Sequence, residues 1–209
     1  YYDFTAETAK ILIVDDNSLN LTVAQGLLEP LNMQIDTALS GNEAISKISE
    51  TMYDLVLMDH MMPEIDGVET THIIRRFHSE YDDVPIIALT ANVVGDVKKM
   101  FIKEGMNDFV AKPIEVRMLI NTIRKWLPEA KIKKHSGAVR LAVPKKTVTI
   151  PDIPELNIKE ALKLLGSEEL FMTILADYYH AIPKKLKLIQ TYMEREDWHS
   201  YTVEVHALK

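Results

Sequence analysis

Between Lys10 and Leu127, short apolar runs alternate five times with amphipathic stretches, and this alternation is the strongest constraint on the fold. The apolar runs are Ile11–Val14, Gln34–Ala38, Leu55–Met58, Pro85–Leu89 and Asp108–Ala111. Four of them, all but Gln34–Ala38, are continuously apolar apart from the leading Asp108 of the last, which is typical of parallel strands whose two sheet faces are both covered. The stretches near 18–30, 42–50, 67–77, 95–104 and 115–127 have helical spacing. Because parallel strands need crossover helices, the pattern predicts a five-stranded, parallel, doubly wound α/β domain over 10–127.

The pattern changes after Leu127. Residues 128–154 contain four prolines, and six Lys or Arg residues against two acidic ones. This composition predicts a linker with a basic face. From residue 155 to 209 the apolar residues have helical spacing, and three segments with one-sided stripes predict part of an all-α bundle. Pro183 interrupts the longest of these segments, so we expect a kink or a split there.

Composition excludes several classes of protein. The net charge of −7 argues against a nucleic-acid-binding body. No apolar run approaches the roughly 18 residues of a membrane span, so we expect no membrane contact by this segment. The lack of cysteine excludes disulfides and thiolate metal sites, and it suits a reducing, cytoplasmic location. The chain starts at Tyr1 without a leader, so we interpret it as an internal piece of a longer protein.

Polar residues follow four of the five predicted strands at the point where each strand ends. Asp15 and Asp16 follow the first strand, and Asp59 follows the third. Thr90 ends the fourth strand and Lys112 follows the fifth. In an open α/β sheet, ligands bind beyond the carboxyl ends of the strands. These three carboxylates, a hydroxyl and an ammonium group are therefore expected to meet in one crevice.

The chemistry of such a set points to phosphoryl transfer. Three neighbouring carboxylates repel one another, and a hard cation such as Mg²⁺ relieves that repulsion while it completes its shell with phosphate oxygens. One carboxylate can then attack phosphorus and form an acyl phosphate, with Lys112 and Thr90 contacting phosphoryl oxygens. Each residue also has a simpler interpretation by itself: Asp16 and Thr90 as helix caps, Asp59 in a plain turn, Lys112 as a solvated charge. Their occurrence together, at the ends of successive strands, favours the site.

Residues 10–127 closely resemble the response-regulator receiver domain. The matching segments are Ile11–Asn17, Leu55–Pro63, Asp66-Gly67, Ala88–Ala91 and Phe109–Pro113. The resemblance implies a flavodoxin-like fold with Asp59 as the phosphoacceptor. It also implies that Asp16, Asp59 and the backbone carbonyl of Met61 hold Mg²⁺, with Asp15 acting through water.

The same resemblance implies a switch pair, Thr90 and Phe109. The hydroxyl of Thr90 would follow the phosphoryl group while the aromatic ring moves inward. Phe109 has no hydroxyl, so an output that depends on a tyrosine hydrogen bond is not available to this chain.

The segment 155–209 resembles the first part of a histidine-containing phosphotransfer domain. The matching segments are Leu164–Leu170, Asp197-Trp198 and Val205–Lys209. The resemblance implies that His206 is phosphorylated and that Lys209 is its electrostatic neighbour. That family continues with two more helices, so the segment is expected to be an incomplete bundle.

Together the two resemblances imply a phosphorelay like the C-terminal half of a hybrid sensor histidine kinase of bacterial type. Asp59 would receive phosphate from a kinase phosphohistidine domain, and His206 would exchange it with a receiver, this one or a downstream response regulator. The chain has no Gly-rich phosphate-binding loop, so whether it is itself an enzyme stays open.

Three alternatives belong to other classes of protein. An aspartyl phosphatase would be expected to have a second Asp where Met61 stands, and a transcription factor would need a basic recognition helix after the linker. The third alternative is a stand-alone receiver that serves as an interaction scaffold and whose helical tail is not phosphorylated.

Overall fold

A computed structural model describes residues 2–91, 97–139, 156–165 and 167–206 of the protein. The strands are β1 (Tyr2–Thr5), β2 (Lys10–Val14), β3 (Gln34–Ala38), β4 (Leu55–Asp59), β5 (Ile86–Thr90), β6 (Asp108–Ala111) and β7 (Lys133–Val139). The helices are α1 (Ser18–Leu28), α2 (Gly41–Glu50), α3 (Gly67–Phe77), α4 (Val97–Lys103), α5 (Val116–Trp126), α6 (Ile158–Leu165), α7 (Glu168–Glu194) and α8 (Trp198–His206). The chain divides into two compact units, residues 1–145 and 146–209.

The first unit is built on a five-stranded parallel sheet in the order β3-β2-β4-β5-β6. Strands β4 and β5 are buried along their whole length, as their continuous apolar sequence predicts. Each crossover between parallel neighbours contains a helix, so the predicted doubly wound fold is confirmed. The order reverses between β2 and β4, and ligands bind at such switch points.

Three of the helices that follow the strands, α1, α2 and α3, begin at side-chain caps. Asn17 accepts a hydrogen bond from the N–H of Leu19 at the start of α1, and Ser40 accepts one from Glu43 at the start of α2. Asp66 caps α3 by accepting from the N–H of Glu69 at 2.8 Å. Such caps stabilise a helix end and fix where the chain turns from strand to helix. Each helix therefore starts close to the edge of the sheet where the polar residues lie.

The segments that precede and follow the parallel sheet in the sequence form a second, two-stranded sheet. The sequence did not predict this pairing. Strand β1 runs antiparallel to β7, with Phe4 opposite Lys134 and Thr5 opposite Lys133. Phe4 is fully buried. Residues 133–139 of the predicted linker 128–154 are therefore a strand of the first unit, and its residues 140–154 lie outside the described part of the chain. Two lysines and a glycine made this strand resemble a linker, because such residues are depleted in strands.

The second unit is helical, as predicted. Ser167 caps α7 by accepting from the N–H of Leu170 at 3.2 Å. Helix α7 runs through Pro183 as one element, so the predicted split does not occur. Lys185 of α7 and Glu204 of α8 form an ion pair at 3.1 Å, which ties the two helices together. Among the described residues, no helix is both long enough and apolar enough to cross a bilayer.

Candidate functional site

Three carboxylates meet at the carboxyl ends of β2 and β4. Asp15 and Asp16 follow β2, and Asp59 is the last residue of β4, its parallel neighbour. Each of the three residues offers a carboxylate oxygen, and these oxygens all lie within 4.8 Å of one another. Asp15 and Asp59 are buried and Asp16 is exposed. The predicted convergence of these carboxylates is present in the structure.

Lys112 closes the pocket from the end of β6. Its ammonium nitrogen lies 2.7 Å from Oδ2 of Asp15 and 2.9 Å from Oδ2 of Asp59. Burial alone disfavours the charged form of Lys112, but the two carboxylates outweigh it and raise the pKa of Lys112. We call Asp15, Asp16, Asp59 and Lys112 the acidic pocket.

The pKa of the Asp59 carboxyl group is raised well above that of an ordinary aspartate. Burial raises its pKa, the charge of Asp15 raises it further, and Lys112 opposes both, so that the pKa is about 6. The N–H of Met61 donates to Oδ1 of Asp59 at 3.4 Å and also favours the ionised form. Near neutral pH, Asp59 is therefore ionised and depends on positive charge beside it.

The backbone around Asp59 is fixed by its neighbours in the fold. The N–H of His60 donates to the carbonyl of Leu89 at 2.9 Å, and the carbonyl of His60 accepts from Gly67 at 3.1 Å. A Cβ at Gly67 would lie 2.1 Å from the carbonyl oxygen of Asp59. Only glycine therefore allows α3 to begin this close to the end of β4.

Thr90 and Phe109 lie on the neighbouring strands β5 and β6. Thr90 is buried at the end of β5, opposite Ala111, and its carbonyl accepts from the N–H of Lys112 at 2.7 Å. Phe109 is half-buried, and its ring packs against the buried Phe101 of α4. The two residues predicted as a switch pair are therefore on adjacent strands, with Phe109 opposite Ala88, two residues before Thr90.

Asn20 is a further polar residue of this site that sequence reasoning missed. Its Nδ2 donates to both carboxylate oxygens of Asp15, at 3.0 and 3.2 Å. Because Asn17 supplies the cap of α1, Asn20 lies in the first turn and its side chain is directed back at the strand end. The sequence signal for this contact is that Asn20 lies in the first turn of a helix that starts beside Asp15.

The structure gives less on the second predicted site. His206 is the last residue of α8, and its side chain lies outside the described part of the structure. Lys209, its predicted neighbour, is outside the described residues as well. Their predicted roles therefore stay predictions.

A family model of the response regulator receiver domain matches residues 11–124. The chain belongs to the response regulator receiver family. The match includes every residue of the acidic pocket and both residues of the predicted switch pair. The first unit is thus a receiver domain of two-component phosphorelay signalling, and its five-stranded flavodoxin-like sheet is the fold of that family.

Two curated relatives match almost the whole chain. The protein is 28% identical over 211 residues to the sensor protein GacS of Pseudomonas syringae pv. syringae. This alignment covers 98% of this chain and 22% of GacS. It is 28% identical over 207 residues to the aerobic respiration control sensor protein ArcB of Escherichia coli, covering 99% of this chain and 26% of ArcB. The chain spans about a quarter of the length of these relatives.

Solved receiver structures share the fold of the first unit. One is the receiver domain of sensor histidine kinase PA1611 from Pseudomonas aeruginosa, which has a magnesium ion coordinated in its active site cleft. It is 35% identical in sequence, with a TM-score of 0.52. The match covers 56% of this chain and 96% of that one. Another comes from the co-crystal structure of the Saccharomyces cerevisiae histidine phosphotransfer signaling protein Ypd1 and the receiver domain of its downstream response regulator Ssk1. The matching chain is 27% identical in sequence, with a TM-score of 0.55. The match covers 59% of this chain and 92% of that one.

Proposed function

We propose that the receiver unit accepts a phosphoryl group on Asp59, with Mg²⁺ as its cofactor. One observation carries the proposal: the buried Asp59 lies within 4.8 Å of two further carboxylates and 2.9 Å from the ammonium group of Lys112. A carboxylate with positive charge beside it, at the carboxyl end of a strand where ligands bind, is suited to attack phosphorus.

The donor set of the acidic pocket suits Mg²⁺. The ion prefers carboxylate and carbonyl oxygens, and three carboxylates this close together attract a divalent cation. In our proposal Asp16, Asp59 and the backbone carbonyl of Met61 hold the ion directly, and Asp15 acts through water. When bound, the ion supplies positive charge next to the phosphoryl oxygens.

In the proposed reaction, a carboxylate oxygen of Asp59 attacks the phosphorus of a phosphohistidine on a histidine kinase. A P–O bond forms and the P–N bond breaks, and its electron pair stays on the imidazole nitrogen, which takes up a proton. Lys112 stays beside the new acyl phosphate and neutralises part of its charge. Thr90 moves towards the phosphoryl group and donates a hydrogen bond to one of its oxygens. The ring of Phe109 then moves inward, in the same direction as Thr90.

We further propose that the helical unit is part of a histidine phosphotransfer domain and that His206 exchanges phosphate with a receiver, this one or that of a downstream response regulator. The matches to GacS and ArcB support this proposal because they extend over the helical segment as well as the receiver. The parent protein would then be a bacterial hybrid sensor histidine kinase whose relay modules work in the cytoplasm, with residues 155–209 as the phosphotransfer segment.

Beryllofluoride, which mimics an acyl phosphate, tests the receiver step. With Mg²⁺ it should bind the wild-type chain, and acetyl phosphate should add one base-labile phosphoryl group. Asp59→Asn should abolish both, whereas Asp83→Asn, which changes an exposed carboxylate, should leave both intact. Undiminished labelling of Asp59→Asn would refute the assignment. Failure of the wild type to bind beryllofluoride would favour the scaffold alternative.

The histidine step needs a longer chain. With the parent's downstream sequence included, phosphorylated receiver should pass label to His206, giving an acid-labile, base-stable product. His206→Gln should not accept label, and His199→Gln, which changes a histidine of the same helix, should accept it normally. Equal labelling of His206→Gln and the wild type would refute this part of the proposal.

A further inference from the structure

Three aromatic rings form a row that begins beside Asp59 and ends at the predicted switch residue. The ring of His60 packs edge-to-face on Phe101, with centroids 5.1 Å apart and an interplanar angle of 86°. Phe101 is fully buried in the middle of α4, and its ring lies 6.4 Å from that of Phe109 on β6. Both geometries are within the range of favourable aromatic pairs. The row thus joins the end of β4 to α4 and then to β6.

The backbone of His60 cannot move independently of the acidic pocket. Its N–H is bonded to Leu89 of β5 and its carbonyl to Gly67 of α3. On one side it is joined to Asp59, and on the other to Met61, whose N–H donates to the carboxylate of Asp59. A shift of the segment 59–61 therefore shifts the His60 ring.

The position of that ring is set by packing. Nδ1 of His60 is buried, and within the described part of the chain it has no hydrogen-bond partner. No hydrogen bond at Nδ1 among these residues therefore holds the imidazole against a displacement of Phe101. In a densely packed core, a ring follows the ring against which it packs.

We propose that His60 is a positioning residue that couples the segment 59–61 to helix α4 through Phe101. The inference deepens the proposed function and rests on it: phosphorylation of Asp59 displaces the segment, and the ring contact passes the displacement to α4 and Phe109. Because coupling free energies are reciprocal, a partner that binds α4 and shifts it changes the affinity of the pocket for its phosphoryl group.

Amide hydrogen exchange of α4 tests the coupling. Exchange over Val97–Lys103 is measured on the full chain with and without saturating Mg²⁺ and beryllofluoride, and binding is followed separately by ¹⁹F NMR. In the wild type, beryllofluoride should change the exchange rate of α4. His60→Phe keeps a ring on Phe101 and should retain this change, whereas His60→Ala should reduce it about threefold or more. A merely structural role would instead shift exchange equally in both states.

A further variant, Phe101→Leu, guards against a general loss of structure. Phe101→Leu keeps an apolar side chain in the core but removes the ring, and it should reduce the response of α4 as His60→Ala does. If His60→Ala and Phe101→Leu both keep the full response, or if α4 of the wild type does not respond to bound beryllofluoride, the inference is overturned while the proposed function stands. If ¹⁹F NMR detects no binding to the wild type, the proposed function fails and this inference fails with it.

Discussion

The ammonium nitrogen of Lys112 lies 2.9 Å from Oδ2 of Asp59, although 53 positions separate the two residues in the sequence. The same nitrogen lies 2.7 Å from Asp15. One cation thus lies between two buried carboxylates and offsets part of their mutual repulsion. The stability of the receiver and the ionisation of Asp59 are therefore linked through this lysine.

Lys112→Met tests this link. We expect the variant to lose about 3 kcal/mol of stability at pH 8, because removal of one partner leaves buried charge without compensation. The pKa of Asp59, about 6 in the wild type, should rise further without the lysine. The loss should therefore be smaller at pH 5, where Asp59 is already protonated, and Mg²⁺ should restore part of the stability at pH 8. Urea unfolding at both pH values measures these effects.

Lys131→Met is the matched control for that experiment. Lys131 also pairs with an aspartate, Asp54 at 2.6 Å, but its side chain is about one third exposed. A pair of this kind should contribute at most about 1 kcal/mol, with no dependence on Mg²⁺. Equal losses in the two lysine variants at pH 8 would contradict the role assigned to Lys112.

The sheet and the pocket could be predicted from sequence because both follow from the ends of apolar strands. Once β2 and β4 are parallel neighbours, Asp15 and Asp59 must lie side by side. The contacts of Asn20 and the ring of His60 could not be predicted, since they depend on the direction in which each side chain points from its backbone. Periodicity reports which face a residue lies on and does not report its rotamer.

The pairing of β1 with β7 could not be predicted for a different reason. The two segments are more than a hundred residues apart, and strand β1 has only four residues. Basic residues at the start of β7 are typical of an edge strand, but they are equally typical of a linker. The roles of His206 and Lys209 stay predictions, because their side chains are outside the described residues.

Phe4→Ala tests whether the β1–β7 pair belongs to the receiver fold. Phe4 is fully buried and the Arg124 guanidinium packs over its ring, so truncation should cost about 3 kcal/mol. Phe77→Ala, which truncates a phenylalanine that is 67% exposed, should cost less than about 0.5 kcal/mol. The measurement is chemical unfolding of the two variants and the wild type. A Phe4→Ala variant as stable as Phe77→Ala would show that β1 contributes nothing to the fold.

Gly67→Ala should damage the acidic pocket without touching any of its side chains. The new methyl group would lie 2.1 Å from the carbonyl oxygen of Asp59, and backbone atoms cannot yield as a flexible side chain can. We expect a loss of about 3 kcal/mol and weaker binding of beryllofluoride with Mg²⁺. Gly105→Ala is the control: its positive φ of 88° makes alanine costly by about 1 kcal/mol, but the added Cβ would have ordinary contacts. Normal beryllofluoride binding by a folded Gly67→Ala would contradict the prediction.

Asp108 should make the stability of the receiver depend on pH in the acid range. Burial raises its pKa, but hydrogen bonds from Lys125, Trp126 and Lys98 outweigh burial and lower the pKa to about 2. A carboxyl group whose pKa is lower in the folded than in the unfolded state stabilises the fold above its unfolded pKa, here 3.8. This stabilisation should be lost as the pH falls from about 4 towards 2.

Asp108→Asn removes the titrating group and should flatten that pH dependence. Urea midpoints of the wild type and the variant should differ most at pH 5 to 7 and converge as the pH falls towards about 2, because the wild-type carboxylate loses its advantage over that range. Asp83→Asn, a change of an exposed carboxylate, should follow the wild-type curve. A difference between Asp108→Asn and the wild type that stays constant from pH 7 to pH 3 would mean that Asp108 acts through packing, and that its contacts with Lys98 and Lys125 do not stabilise the charged form.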